Sequence, residues 1–426
     1  MTTWPAPTLA HLATWTIAAL ATAGVLWRPL RLPEAVWAGA GALLLLVLGL
    51  VTPAGALGAL EPALDVMLFL AGMMLLSELA RREGLFDTLA GWALVHAGGS
   101  ARRLFGLVYA VGVLVTVFLS NDATAVVLTP AVHAAAKRAG ARPLPYLFAC
   151  ALVANAASFV LPISNPANLV VYAAHMPPLL DWIRQFALPS LAAIVATWAL
   201  LGWRFRADLR ARLAPAAAEH VPPLSRTGHV AAWGLVLAGA VLVTVSALGR
   251  PLGLPTLAAA ALAVAAVQVS RREAPWPLLR HVSWEVLALV AGLFVLVAGL
   301  EQTGLIASLA GALQETATRS TAVAAWVAGL VAGFGCNLAN NLPAGLVAGT
   351  AANAGALHES IRAAITIGID LGPNLSVTGS LATILWLTAL RREGEHVSAI
   401  EFLRVGVLVM PASLVLALAL RAWPAA

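Results

Sequence analysis

Polar and helix-breaking residues interrupt the apolar stretch 366–387, TIGIDLGPNLSVTGSLATILWL. Its two ends have the composition of a membrane-spanning helix. In its centre, Pro373 removes a backbone donor, and Gly372 and Gly379 tolerate irregular dihedral angles. In lipid, irregular backbone persists only where protein buries it or where it lines a wet cavity. The stretch therefore predicts a broken helix whose unwound centre can hold a small solute. A proline kink alone would not need so many polar side chains. The candidate ligands here are Asp370, Asn374, Thr378 and Ser380.

Three further polar centres interrupt apolar runs. One is a second broken helix at 161–168 (LPISNPAN), inside the run 145–175. The other two are predicted tips of helical hairpins, at 120–124 (SNDAT) and 336–345 (CNLANNLPAG). Half-helix ends leave N–H and C=O groups unpaired, so we expect all four centres to meet near the bilayer midplane as one site. Their candidate ligands are Asn121, Asn165, Asn168, Asn340 and Asn341.

Amides and hydroxyls dominate these centres. They suit a small neutral polyhydroxy solute or an ion held by carbonyl oxygens, and they lack the arginine pair that a dicarboxylate would need. Asp122 and Asp370 are the exceptions. A carboxylate in mid-membrane costs about 2.5–3.5 kcal/mol, so each predicts a site that couples transport to a proton or cation. The alternatives are a water-exposed turn for Asp122 and a purely structural helix end for Asp370.

Cys336 lies just before the second hairpin tip. A thiolate there could bind a soft metalloid, and the alternative is a small buried apolar residue. Cys150 is the only other cysteine, so no disulfide framework is predicted. The sequence holds no nucleotide-binding glycine loop, metal-ligand spacing or nucleophile constellation. We therefore predict neither an enzyme nor a resident cofactor.

The composition requires that these centres sit in a membrane protein. Of 426 residues, 61% are hydrophobic and 10% are charged, and the mean hydropathy is +0.90, whereas soluble domains carry about 25% charged residues. The lipid bilayer is thus the expected partner. The net charge of +6 arises from short loops between apolar runs, which excludes nucleic-acid binding as its explanation.

The order of apolar runs repeats within the chain. A shift of 220 residues places Asn121 on Asn341, so the two hairpin tips coincide, and a shift of 215 places Asn155 on Asp370. Because each half has an odd number of spans, the halves must be inverted. The predicted fold is an all-α polytopic membrane protein of the ion-transporter-superfamily type, with two inverted repeats of five spans plus a helical hairpin each. Its parts are a first repeat (1–203), a cytoplasmic linker (204–227) and a second repeat (228–426).

Basic residues predict the orientation. Nineteen of the 25 arginines and lysines fall on one side of the predicted topology and five on the other, with Arg404 inside the last span. The richer side is expected to be cytoplasmic, which places both termini outside. The first hairpin then enters from the cytoplasm and the second from outside, and this count does not tell a re-entrant hairpin from a spanning one.

Three motifs resemble a known family. Residues 118–130 (FLSNDATAVVLTP) resemble a signature of the ion transporter superfamily, and 337–349 (NLANNLPAGLVAG) resemble the Asn-Asn element of its arsenical pump branch. Residues 367–387 are similar to the most specific stretch of ArsB-type arsenite efflux proteins. The lead-in to the second tip, which contains Cys336, departs from the family pattern.

The resemblance implies export of trivalent arsenite and antimonite, as neutral hydroxides, across the inner membrane. It implies coupling to the proton gradient or membrane potential, and it leaves open a separate soluble arsenite-stimulated ATPase as partner. Two alternatives remain, a sodium/proton antiporter of the same superfamily and a passive metalloid channel. The site residues that the resemblance implies are Asn121, Asp122, Asn340, Asn341, Asp370 and Asn374.

Overall fold

A computed structural model describes residues 8–173, 176–213 and 223–422. Apart from one isolated bridge between Ser100 and Arg212, the regular structure of these ranges is helical. The helices are α1 (Leu9–Trp27), α2 (Glu34–Val47), α3 (Pro53–Arg82), α4 (Leu85–His96), α5 (Ala101–Phe118), α6 (Thr129–Arg138), α7 (Leu144–Ala156), α8 (Pro166–Tyr172), α9 (Leu179–Arg204), α10 (Arg226–Ala247), α11 (Gly253–Arg271), α12 (Trp276–Leu279), α13 (Glu285–Gln302), α14 (Leu305–Arg319), α15 (Thr321–Ala339), α16 (Asn341–Ala354), α17 (Glu359–Leu371), α18 (Leu381–Arg392) and α19 (Ala399–Ala422).

Within the described ranges, nine helices are long and apolar enough to cross a membrane. The prediction of an all-α polytopic membrane fold is therefore confirmed. Two helix ends have clear local causes. Helix α2 ends at Val47, because the chain turns through Gly49 at φ +67°. Helix α3 begins at Pro53, since the Thr52 side chain caps its first turn.

Both predicted hairpins are present. In the first, α5 is followed by a tip at Ser120 and by a π-helical segment, Ala123–Leu128, that leads into α6. In the second, α15 and α16 meet at Asn340. The π-helical segment was not predicted, and such segments commonly mark functional sites.

Both broken helices are present as well. Helices α7 and α8 are separated by residues 157–165, and α17 and α18 by residues 372–380, so each break is nine residues long. The elements pack reciprocally: α2 lies against α13 and α11 against α3, while α8 lies against α16 and α18 against the π-helical segment and α6. Elements of each half thus pack against elements of the other half in matching pairs, as the predicted internal repeat requires. The boundary at 204–227 stays a prediction, and residues 214–222 lie outside the described part.

Glycines bring the second broken helix against the second hairpin. Gly329 and Gly333 on α15 face Gly368 on α17 and Gly372 at the start of the break, and a Cβ on Gly368 or Gly372 would collide with a backbone oxygen of α15. Small residues at four-residue spacing allow such close approach of helices in membranes. The contact holds Asp370, which lies between Gly368 and Gly372 in the sequence, in a buried position.

Candidate functional site

The two broken helices are joined directly to each other through side-chain amides. Asn155, at the end of α7, donates from Nδ2 to Asn374 Oδ1 at 2.9 Å, and Asn374 Nδ2 donates to Leu152 O at 3.0 Å. Both asparagines are buried, at 1% exposure or less. A buried amide pair with these partners holds the two breaks in one register, because breaking it would leave unpaired polar groups in a dry interior.

Asp370 is the centre of the second link. Asn165 donates from Nδ2 to Asp370 Oδ1 at 2.5 Å, and the same amide lies 3.5 Å from Ser158 Oγ. Asp370 is 1% exposed, and its Oδ2 is buried with no hydrogen-bond partner among the described residues. No described arginine or lysine forms an ion pair with it. A buried carboxyl without a cationic partner must hold a proton or a cation, since the bare anion would be strongly disfavoured.

Asp122 has a different environment at the first tip. Its backbone N–H donates to Asn121 Oδ1 at 2.9 Å, its side chain is half-buried, and that side chain makes no hydrogen bond to a described residue. Ser120 Oγ accepts from Ala123 N at 3.1 Å, which closes the turn before the π-helical segment. The Asp122 side chain is thus partly exposed, whereas that of Asp370 is buried.

The second tip has a constrained backbone. Asn340 adopts φ +71° and ψ 153°, a region that is essentially reserved for glycine and costs of order 1–3 kcal/mol for other residues. Its Oδ1 accepts from Leu342 N at 3.3 Å, which caps α16. Asn341 follows at the first turn of α16 and is 4% exposed. Strain of this kind persists at sites where the surrounding structure enforces it.

Asn337 ties this hairpin to the second break. Its Nδ2 donates to Gly372 O at 3.1 Å, its Oδ1 accepts from Ser376 Oγ at 2.6 Å, and its carbonyl accepts from Thr378 Oγ1 at 2.8 Å. Asn337 lies within the predicted tip 336–345 but is not among the candidate ligands. It also donates to Gly333 O, four residues earlier on α15, at 3.0 Å.

The predicted ligands thus fall into two groups. Asn165, Asn374 and Asp370 meet in the centre, with Asn155 and Ser158 beside them. The others have local roles as caps or loop contacts in the described structure. Asn168 donates to Ser158 O at 2.9 Å, Ser380 Oγ accepts from Thr383 N at 3.1 Å, and Asn121, Asn340 and Thr378 bond as given above.

Cys336 is fully buried between α15 and α17, and its Sγ donates to Gly333 O at 3.3 Å. The described residues contain no group of three His, Cys, Asp or Glu side chains that could hold a metal ion. One thiol alone cannot form the three-thiolate site that soft metalloids favour. A ligand role for Cys336 stays a prediction.

Comparison with known proteins found a matching family and several similar proteins. Residues 19–369 match the citrate transporter family, CitMHS. The arsenical pump membrane protein of Escherichia coli (strain K12) is 28% identical over 406 residues, which cover 90% of this chain and 92% of that protein. The protein of the same name from Yersinia enterocolitica is 27% identical and covers 79% of this chain and 81% of its own length. The resemblance to ArsB-type proteins is confirmed.

Two solved structures share the fold. The Alcanivorax borkumensis YdaH transporter superposes with a TM-score of 0.57 at 16% identity, covering 86% of each chain. The Neisseria gonorrhoeae protein MtrF, whose structure illuminates a class of antimetabolite efflux pumps, superposes with a TM-score of 0.54 at 15% identity, covering 99% of this chain and 96% of its own.

Proposed function

Because the chain belongs to the citrate transporter family and is related to arsenical pump membrane proteins, we propose that it exports trivalent arsenite and antimonite. It is a secondary active transporter of the inner membrane with both termini outside, driven by the proton gradient or membrane potential. It has no enzymatic activity of its own in this proposal, and a soluble arsenite-stimulated ATPase stays open as a partner.

The observation that carries the substrate assignment is the buried centre formed by Asn155, Asn165, Asp370 and Asn374. A trihydroxide such as As(OH)₃ presents O–H donors and oxygen acceptors without net charge, which amides and a carboxyl can match. Citrate carries carboxylates that need cationic partners. Among the described hydrogen bonds of the tips and breaks, none involves an arginine or lysine.

The residues divide between two roles in this proposal. Asp122 and Asp370 couple export to protons, with Asp122 as the group that exchanges with water. Substrate and proton compete near Asp122, and the hairpin-bearing core moves against the remaining helices to give alternating access. The ligands that hold the substrate are Asn121, Asn165, Asn168, Asn340, Asn341, Asn374, Thr378 and Ser380.

The first test is arsenite uptake into everted membrane vesicles without ATP, with and without a proton ionophore. We expect concentrative uptake that collapses when the ionophore is added. Uptake that stops at equal concentrations would indicate a passive channel. Absence of arsenite uptake together with sodium-dependent proton movement would replace this proposal with a sodium/proton antiporter, and uptake only with ATP would require the ATPase partner.

A further inference from the structure

A cavity of about 510 Å³ lies between two groups of helices. Helices α3 and α13 line one side, and α8 and α16, which belong to the broken helix and the second hairpin, line the other. On α3 the wall consists of Gly55, Gly58, Ala59 and Pro62, which occupy one helical face. The space exists because these side chains are small.

The cavity extends along these helices toward one of their ends. Its inner part includes Val170 on α8 and Leu346 on α16. Its outer part reaches Glu301 and Ala354, at the last turns of α13 and α16. The arginine distribution assigns these helix ends to the outside, so the cavity has the position of an exit path.

Four polar side chains line an otherwise apolar wall. Thr350 and Asn353 lie on α16, and Glu301 and Gln302 lie on α13. The Oδ1 of Asn353 is buried and has no hydrogen-bond partner among the described residues. A buried acceptor of this kind needs a donor, from water or from a solute. Among the described residues that line the cavity, none is arginine, lysine or histidine, and the Glu301 carboxylate at the mouth disfavours anions.

We propose that this cavity is an exit-side subsite for a neutral, hydroxyl-bearing solute, in which Asn353 accepts an O–H and Glu301 excludes anions. The subsite rests on the proposed function only for the identity of its natural solute, arsenite. The proposal predicts that any small neutral compound with hydroxyl groups binds in the cavity, whether or not the protein transports that compound.

Thiol labelling tests the subsite without relying on transport. Cys150 and Cys336 are both buried, so the background is low. A Cβ at Gly58 meets no atom within 4 Å, and the same holds at Gly239 on α10, which does not line the cavity and serves as the matched control. In intact cells we expect an impermeant maleimide to label Gly58→Cys and not Gly239→Cys.

Boric acid is the probe for binding, because it is neutral, carries three hydroxyls and does not react with thiols. It should slow labelling of Gly58→Cys, and Asn353→Ala should raise the protecting concentration about three- to tenfold, as expected for one lost hydrogen bond. Asn353→Asp keeps an acceptor oxygen and should retain protection. Citrate should slow labelling of Gly58→Cys only in the double variant that also carries Glu301→Lys.

The experiments can contradict the exit-side subsite and the proposed arsenite export independently of each other. Labelling of Gly58→Cys only from the cytoplasmic face, or protection by boric acid that is unchanged in Asn353→Ala, would overturn the subsite even if arsenite is exported. Protection that depends on Asn353 without any arsenite transport would contradict the proposed function and leave the subsite standing. In transport itself, Gly58→Trp should lower uptake at least tenfold, whereas Gly239→Trp should leave it unchanged.

Discussion

The two candidate acidic residues, Asp122 and Asp370, differ in what surrounds them. Asp370 is buried and bonded to Asn165, so a change there alters the link between the broken helices. Asp122 is half-buried and makes no side-chain hydrogen bond to a described residue, so a change there breaks no described hydrogen bond of the side chain. A substitution at Asp122 therefore tests the proposed coupling role apart from the architecture.

We predict that Asp122→Asn abolishes accumulation of arsenite driven by an imposed pH gradient while leaving downhill movement, because the amide cannot exchange a proton. Uptake into everted vesicles under a pH jump measures this. The matched control is Asp181→Asn, an exposed aspartate paired with Arg184 at 3.2 Å, which should behave as wild type. Accumulation driven by pH in the Asp122→Asn protein would move the coupling role to another group.

At the scale of elements, the second half of the site depends on close helix packing. Helix α17 approaches α15 until glycine backbones touch, and Asn337 then reaches Gly372 O and the loop at Ser376. The strained Asn340 lies at the tip, three residues beyond Asn337. The hairpin and the break thus act as one unit, and their separation would expose several polar groups at once.

We expect Gly368→Ala to destabilise the protein, since the new Cβ would meet Gly333 N at 2.9 Å and would overlap Gly329 O. Overpacking of this kind costs typically about 1–3 kcal/mol. Thermal unfolding of the purified protein in detergent measures the change. Gly335→Ala on α15 is the control, because its Cβ meets nothing within 4 Å. Equal melting temperatures for the two variants would show that the helices are free to separate.

At the scale of the molecule, the orientation rests on charge, since nineteen basic residues lie on the side assigned to the cytoplasm. A C-terminal fusion reports on it directly. We predict an active alkaline phosphatase fusion and a dark green fluorescent protein fusion, because the arginine distribution predicts a C-terminus outside. A fusion after Arg392, in the loop between α18 and α19, should give the opposite pattern. If the two patterns are exchanged, so that the C-terminal fusion fluoresces and the Arg392 fusion does not, the exit assignment of the cavity also reverses.

Composition and periodicity alone determined the fold class, the two hairpins and the two broken helices. These follow from the sequence because lipid admits only helices, and because proline, glycine and clustered polar residues must interrupt them wherever they occur. The recurrence of Asn121 at Asn341 and of Asn155 at Asp370 likewise predicted which segments belong to the site, and that assignment stays a prediction. The hydrogen-bond partners of these residues could not be predicted from composition, periodicity or the internal repeat.

Only the tertiary structure decided that Asn165 bonds Asp370, that Asn155 bonds Asn374, and that Asn337 links the second tip to the second break. Hydrogen-bond partners 200 residues apart depend on how helices pack, and the α15–α17 approach is set by glycine contacts whose effect is steric and three-dimensional. The cavity beside Gly58 and Asn353 also depends on how the helices pack. Residues of α3, α8, α13 and α16 line it, and no single stretch of sequence contains that space.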